Sequence, residues 1–255
     1  MFTPIGFFTP SVFTFGGVGG ATFAYEAEST TAQGVWTDTT GNGNTGVESA
    51  ETNTGITHNT DGGGNYWFLD RTNISNYDTN YVSTNLQLGA VSSFSFCCIQ
   101  QWGTPPFDGA GSNNTGNLFS VSTSNNFYDL FYWTNATATN TNWQPTILIE
   151  NDYREPSPLN QGSTMRDKWW MISGVWSGTN WKVYLNTVEK YSIAFSKTLN
   201  CSTEPMYLHR FVQGDRNRSN QDLEMGALVF YKNKALTAGE IATNYAYFQT
   251  FYTGL

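Results

Sequence analysis

The sequence predicts an all-β chain in which two antiparallel sheets pack as a sandwich, closed by one short C-terminal helix. Three observations predict it. Short apolar segments recur roughly every eight to twelve residues, with turn-forming residues between them. The 255 residues are 39% hydrophobic and 16% aromatic but only 13% charged, and Asn, Thr, Ser and Gly fill the remaining polar positions. Thr and aromatic residues suit pleated strands, whereas Asn and Gly suit tight turns. Finally, "LEMGALVFYKNKALTAGEIATNYAYFQTFY", residues 223–252, passes from a strand pattern into a single helical one.

Taken in order, residues 1–20 stand apart from residues 21–255. Phe2, Phe7, Phe8, Phe13 and Phe15 are irregularly spaced, Pro4 and Pro10 block regular structure, and "GGVGG" closes the segment like a hinge. This segment is either a strand tucked onto the domain's own core or an arm whose phenylalanines need a neighbouring subunit to bury them. The second reading makes these five residues an assembly arm, packed outside the sandwich. From residue 21, "ATFAYEAE" alternates, and "VWTDTTGNGNTG" enters a turn-dense loop with Asn42-Gly43 as a hairpin-type signal. "GNYWFLD", "YVSTNLQLG", "SSFSFCCIQQW", "GNLFSVSTSN", "FYDLFYW" and "QPTILIEND" continue the series. "KWWMISGVWSGTNWKVYLNTVEKY" reads as two strands joined at Ser177–Asn180, and "PMYLHRFV" and "MGALVFYKN" complete the sheets. Trp36, Phe68, Phe94, Phe96, Trp170, Val183 and Leu228 are the expected interior. In the helix, Thr237 stands three residues before Glu240, the spacing of a capping box. Ile241, Tyr245 and Phe248 give it one apolar face, expected to cover a sheet rim.

The net charge of −8 repels a phosphate backbone, which argues against nucleic-acid binding. No apolar run approaches the ~20 residues of a membrane span, and the N-terminus lacks the basic start of a signal peptide. On that expectation the sequons at Asn73, Asn113, Asn135, Asn200 and Asn217 go unused. Cys97, Cys98 and Cys201 lack disulfide or zinc spacing. Adjacent strand residues face opposite ways, so one of Cys97 and Cys98 is expected in the core and the other outside it.

"MGALVFYKNKALTAGEIATNY" resembles the final strand and helix of the laminin-G-like group of the concanavalin A-like lectin/glucanase superfamily. "SGVWSGTNWKVYLNTVEK" is similar to that group's central hairpin, with Thr187 where Gly is usual after Asn186. "VWTDTTGNGNTG" and "GGGNYWFLD" resemble its opening signatures, with Leu69–Asp70–Arg71 in place of Phe-Asp-Gly. The resemblance covers roughly residues 24–252 and implies a jelly-roll sandwich. The opening signature, the low charge and the Phe/Pro-rich start further resemble domains in structural proteins of marine tailed phages. That resemblance implies a virion-surface protein, on capsid or tail, made in the host cytoplasm. It would join other virion subunits through the arm, without nucleic-acid or membrane partners, and its sandwich would adhere to host surface polysaccharide. The alternative functions are a carbohydrate-binding module, with Trp133, Trp143 and Trp181 as stacking candidates, or a retaining β-glucanase.

For the glucanase, Glu150, Asp152 and Glu155 fit E-x-D-x-x-E. That chemistry needs two carboxyls ~5–5.5 Å apart across the sugar. Against it, Asn151, Tyr153 and Arg154 replace apolar residues, Pro156 and Pro158 end the strand, and the laminin-G-like matches point to a non-catalytic branch, so no catalytic residue is expected. For metal, Asp38, Thr40, Asn42 and Gly43 match the start of a calcium loop. Ser49 stands where that loop needs Glu, which favours a structural Asx-rich turn. Laminin-G-like domains also hold calcium at a sheet edge, where Asp70, Asp78 or Asp222 are on offer with nothing to choose among them. No cofactor is expected. His58 and His209 lack a paired nucleophile motif and read as surface or satisfied residues.

Overall fold

The computed structural model describes residues 14–29, 34–49, 56–61, 63–69, 81–101, 115–124, 127–136, 142–150, 152–154, 159–160, 168–201, 205–209 and 223–255. In chain order its strands are β1 (Phe23–Glu26), β2 (Val35–Trp36), β3 (Gly46–Glu48), β4 (Ile56–Asp61), β5 (Gly64–Leu69), β6 (Val82–Gln87), β7 (Ala90–Val91), β8 (Phe94–Gln101), β9 (Thr115–Ser124), β10 (Phe127–Ala136), β11 (Asn142–Ile149), β12 (Asp152–Arg154), β13 (Leu159–Asn160), β14 (Trp170–Trp176), β15 (Asn180–Leu185), β16 (Val188–Ala194), β17 (Leu199–Asn200), β18 (Pro205–Leu208) and β19 (Leu223–Lys232). Helix α1 (Ala238–Phe248) follows.

The strands form the expected two-sheet jelly-roll sandwich. The first sheet runs β16-β15-β14-β8-β19-β5-β4, with β1 also paired to β19. The second runs β12-β11-β10-β9-β18-β6-β3-β2, with β13 paired to β11. The pairings between these strands are antiparallel. A short β7–β17 ladder lies apart from both.

Between the sheets lies one core built from both. Trp36, Phe94, Phe96, Val183 and Leu228 are buried there as expected. Phe68 is a strand residue whose side chain lies outside the described set. Trp170 differs from expectation: it is half-buried and packs at the margin of this core, while Trp169 is buried on the other side of the sheet. At the centre, Gly174 leaves room for two rings. A Cβ there would stand 2.2 Å from the Trp181 ring and 2.4 Å from that of Phe96, so this position admits glycine alone without displacing them.

A second core covers the outer face of the first sheet. Cys97, Ile99, Val229, Tyr231 and Met171 turn outward from their strands and are sealed by Ile241 and Phe248 of α1 and by Tyr252. Both adjacent cysteines are therefore buried: Cys98 faces the other sheet and Cys97 lies beneath the helix. The expectation that one would lie outside fails because the outer face is itself roofed. For the same reason α1 lies over the sheet face and not along its rim. Its capping box is formed, Thr237 Oγ1 accepting from the Glu240 amide and the Glu240 carboxylate from the Thr237 amide.

Asn244, a polar residue at the buried face of α1, pins this roof. Its Oδ1 accepts from the Val18 amide at 2.8 Å, and its Nδ2 donates to Tyr231 Oη at 2.9 Å and to Cys97 Sγ at 3.4 Å. Residues 14–20, counted with the arm from sequence, thus lie on the domain. Phe15 stands edge-on to Tyr247 with ring centroids 5.2 Å apart, and its amide donates to the Thr39 carbonyl. Phe2, Phe7, Phe8 and Phe13 fall outside the described residues.

Glu26 joins β1, the loop after β2 and α1 at one point. Its carboxylate oxygens accept from Thr39 Oγ1 at 2.6 Å and Tyr247 Oη at 2.7 Å. Burial, reinforced by nearby Glu28, lifts this acid above its ordinary value despite those two hydrogen bonds. A raised carboxyl favours folding while protonated. Its contribution is present below the unfolded-state pKa and is lost as pH climbs through the folded-state value. Glu26→Gln should therefore gain stability relative to the native chain as pH rises from about 4 to about 8, read by urea unfolding. A difference that stays constant across that range would contradict this assignment.

Candidate functional site

The outer faces of the two sheets are treated oppositely. The first is roofed, while the second carries a continuous transverse row of outward positions. Pairing runs Tyr153↔Leu148, Leu148↔Phe131, Phe131↔Ser120, Ser120↔Tyr207, Tyr207↔Ser83, Ser83↔Val47 and Val47↔Val35. That path crosses the sheet from β12 at one edge to β2 at the other. Period-two alternation sets its direction, because the neighbours Ile147, Phe119, Leu208, Val82 and Trp36 all enter the inter-sheet core. Tyr153, Val47 and Val35 are 56%, 49% and 43% exposed and, with Val188, are the large hydrophobic side chains most open to solvent among the described residues. Three of those four share this row, Tyr153 at the β12 edge and Val47 and Val35 at the opposite edge, while Ser120 between them is fully buried.

The polar groups around the row are hydroxyls and amides. Tyr207 meets Tyr81 edge-on, with ring centroids 5.6 Å apart. Ser83 is half-buried beside them, and Asn85 and Gln87 continue outward along the same strand, exposed. Thr146, fully buried and two residues before Leu148 on β11, holds a hydroxyl without a hydrogen-bond partner. No position of the row is ionisable at neutral pH. At the β12 edge, Asp152 is held by Arg154 and by Lys197 at 2.9 Å. Those partners, with Lys197 foremost, keep its carboxyl below the ordinary value. Rings, hydroxyls and amides without fixed charge suit the binding of a neutral, hydroxyl-rich ligand and give nothing for proton transfer.

The carboxylates that matched a glucanase spacing are not assembled into a site. Glu150 occupies the turn after β11 with φ 50, exposed. Asp152 is committed to its ion pairs, and a lowered pKa is the wrong direction for a general acid. Glu155 lies outside the described residues. Of the tryptophans named for stacking, Trp181 is fully buried and has no face for a sugar. Trp133 and Trp143 sit in register with Thr146 and Ala136, and their side chains lie outside the described set.

The loop that matched a calcium site closes on protein groups. Asp38 Oδ1 accepts from the Ala24 and Thr40 amides and from Thr40 Oγ1, and Oδ2 accepts from the Asn44 amide. Asn42 and Asn44 side chains then donate to carbonyls of Ala21 and Thr22. This is the Asx-rich structural turn, sewn onto β1. Asp70, Asp78 and Asp222 fall outside the described residues. His58 stands edge-on to Trp67 at 5.6 Å, and His209 is buried, its amide donating to the Leu118 carbonyl.

Sequence reasoning missed the row. Val35, Val47, Tyr153 and Tyr207 are scattered along the chain, and only the strand order β12-β11-β10-β9-β18-β6-β3-β2 aligns them. Alternation within "PMYLHRFV" and "VSTNLQ" was the available signal, since it separates Tyr207 and Ser83 from their buried neighbours.

No protein-family model and no curated protein sequence matches the chain. Solved structures do. The binding domain of botulinum neurotoxin serotype G aligns with TM-score 0.60 and 14% identity, over 89% of this chain and 50% of that one. The binding domain of Paraclostridial Mosquitocidal Protein 1 gives 0.60 and 14%, over 90% and 52%. The ligand binding domain of botulinum neurotoxin serotype D, solved with N-acetylneuraminic acid, gives 0.57 and 12%, over 89% and 50%. These likenesses show the β-sandwich fold, and the chain spans about half the length of each domain. The purified protein should leave laminarin and related β-glucans uncleaved. Hydrolysis that disappears in Glu150→Gln would reverse that expectation.

Proposed function

We propose that the chain is a non-catalytic recognition module that binds saccharide on the outer face of its second sheet. The observation that carries this reading is the uncharged Tyr153–Leu148–Ser120–Tyr207–Ser83–Val47–Val35 row, exposed at Tyr153, Val47 and Val35 though buried at Ser120, on a sandwich whose other outer face is covered over its central strands. Tyrosine offers an apolar ring to the C–H face of a sugar and a hydroxyl to its edge, while Ser83, Asn85 and Gln87 supply donors and acceptors beside it. Support also comes from similar folds: one is described in complex with N-acetylneuraminic acid, and another belongs to a toxin whose cell entry depends on two ganglioside molecules. Because the chain spans only half of such domains, the likeness supports the ligand class and leaves the contact residues to this chain's own surface.

We place the module on a virion surface, on the strength of its resemblance to structural domains of marine tailed phages. Phe2, Phe7, Phe8 and Phe13 would dock on neighbouring virion subunits while the sandwich engages host polysaccharide. The test is a glycan array of the intact protein beside mass spectrometry of purified particles. Tyr153→Ala and Tyr207→Ala should each weaken retention on the bound glycan about tenfold, equivalent to roughly 1.4 kcal/mol, with unchanged melting temperature. Full retention in both variants would remove the face from consideration, and absence of the chain from particles would remove the virion placement.

A further inference from the structure

The loop joining β2 to β3 carries chemistry beyond its structural turn. Asn42-Gly43 is the only Asn-Gly pair in the 255 residues. Both residues are exposed, so water and hydroxide reach them. Gly43 has φ 78, and a Cβ built there would meet nothing within 4 Å. Its amide donates to no acceptor among the described residues. An unshielded, unpaired amide next in the chain to an asparagine side chain is placed as an internal nucleophile. Asn44 stands in the same loop but precedes Thr45, whose branched side chain crowds the corresponding amide.

The reaction needs only water and hydroxide. The Gly43 nitrogen gives its proton to hydroxide and attacks Asn42 Cγ, forming a C–N bond that closes a succinimide ring. The Cγ–Nδ2 bond breaks, and the side-chain nitrogen takes a proton from water and leaves as ammonia. Water then opens the ring at either carbonyl. Breaking the new bond leaves aspartate at position 42. Breaking the original peptide bond leaves isoaspartate, with the main chain routed through the side-chain carbon.

The lost nitrogen holds the loop in place. Asn42 Nδ2 donates to the Ala21 carbonyl at 2.9 Å and to the Thr22 carbonyl at 3.2 Å. Those carbonyls stand where the chain enters β1: Ala21 belongs to the core under α1, and the Thr22 amide donates to the Phe230 carbonyl at 2.7 Å. After conversion both donors are gone, and carboxylate oxygens face two carbonyls in a loop that already holds the Asp38 carboxylate. Isoaspartate also adds a main-chain carbon just before Asn44. The Asn44 amide donates to Asp38 Oδ2 at 3.0 Å, and its carbonyl accepts from Tyr25 Oη.

We infer that Asn42 is a site of spontaneous deamidation, and that its conversion loosens the attachment of this loop to β1. The inference is independent of the saccharide reading.

The experiment incubates the full-length protein at mildly alkaline and mildly acidic pH, maps its peptides by mass spectrometry and detects isoaspartate by enzymatic methylation. Within days at alkaline pH, Asn42 should show the mass of an amide-to-acid exchange with isoaspartate present, and Asn44 should not. Acidic pH should slow the change, because fewer Gly43 amides lose their proton. Gly43→Ala should slow it about tenfold by obstructing ring closure, and Gly43→Asn, which tolerates the left-handed φ, repeats that test without the strain. Asn42→Asp, standing in for one product, should lower the urea midpoint of unfolding. An unchanged Asn42, an Asn44 that converts as fast, or a full rate in both Gly43 variants would overturn the site. A urea midpoint unchanged in both the converted protein and Asn42→Asp would overturn the loosening.

Discussion

The structure depends on the central strands of the first sheet being buried on both faces. Its central strands β1, β8, β14 and β19 place Phe23, Phe96, Ile172 and Leu228 against the second sheet, and Ala24, Cys97, Met171 and Val229 on the opposite side. A sheet buried on both faces needs a cover, and here α1, residues 14–21 and the segment through Leu255 provide it. Full burial of one large apolar side chain contributes ~1.5–3 kcal/mol, so the roof is a second source of stability and not an ornament. Asn244 makes the cover directional: its amide reaches the Val18 amide, Tyr231 and Cys97 at once, and a helix rotated about its axis would take the Asn244 amide away from all three.

Covering one sheet is also what gives the other its identity. The second sheet buries Val82, Phe119, Ile147 and Leu208 inward, and its outer side is exposed at Tyr153, Val47 and Val35 while Ser120 and Thr146 are buried. On that face the row carries Tyr, Leu, Ser and Val, with Asn85 and Gln87 exposed beside it, while the Asp152–Arg154–Lys197 cluster sits at the β12 edge on the side opposite Tyr153.

Much of the fold was legible because alternation and capping are local. Phe94, Phe96 and Cys98 announced the inner face of β8, and Thr237 with Glu240 announced the start of α1. What stayed hidden depended on the second layer. Alternation put one of Cys97 and Cys98 outside the core, yet the outward one, Cys97, is closed over by the helix. Trp169 and Trp170 form an adjacent pair whose partition between two cores no local pattern decides. Asn244 carried no local signal of its role, because its partners Val18 and Cys97 are far away in the chain. The candidate site was less legible than the fold. A transverse row is a property of strand order, and strand order is set by pairings between segments that share no sequence signal. Glu150 and Asp152, by contrast, formed a clear local pattern that the turn at Glu150 and the ion pairs of Asp152 empty of chemistry.

The pairing of β1 with β19 sets Phe23 opposite Phe230, joining segments about two hundred residues apart, and β19 is also the strand that links β8 to β5. During synthesis the chain must therefore carry β1, β5 and β8 with unmatched edges until residue 232 has left the ribosome. Contacts of such range make folding slow and leave strand edges open to pairing between chains. A cell making many copies at once would hold a pool of nascent chains whose fate, native sandwich or aggregate, is decided in the interval before β19 arrives.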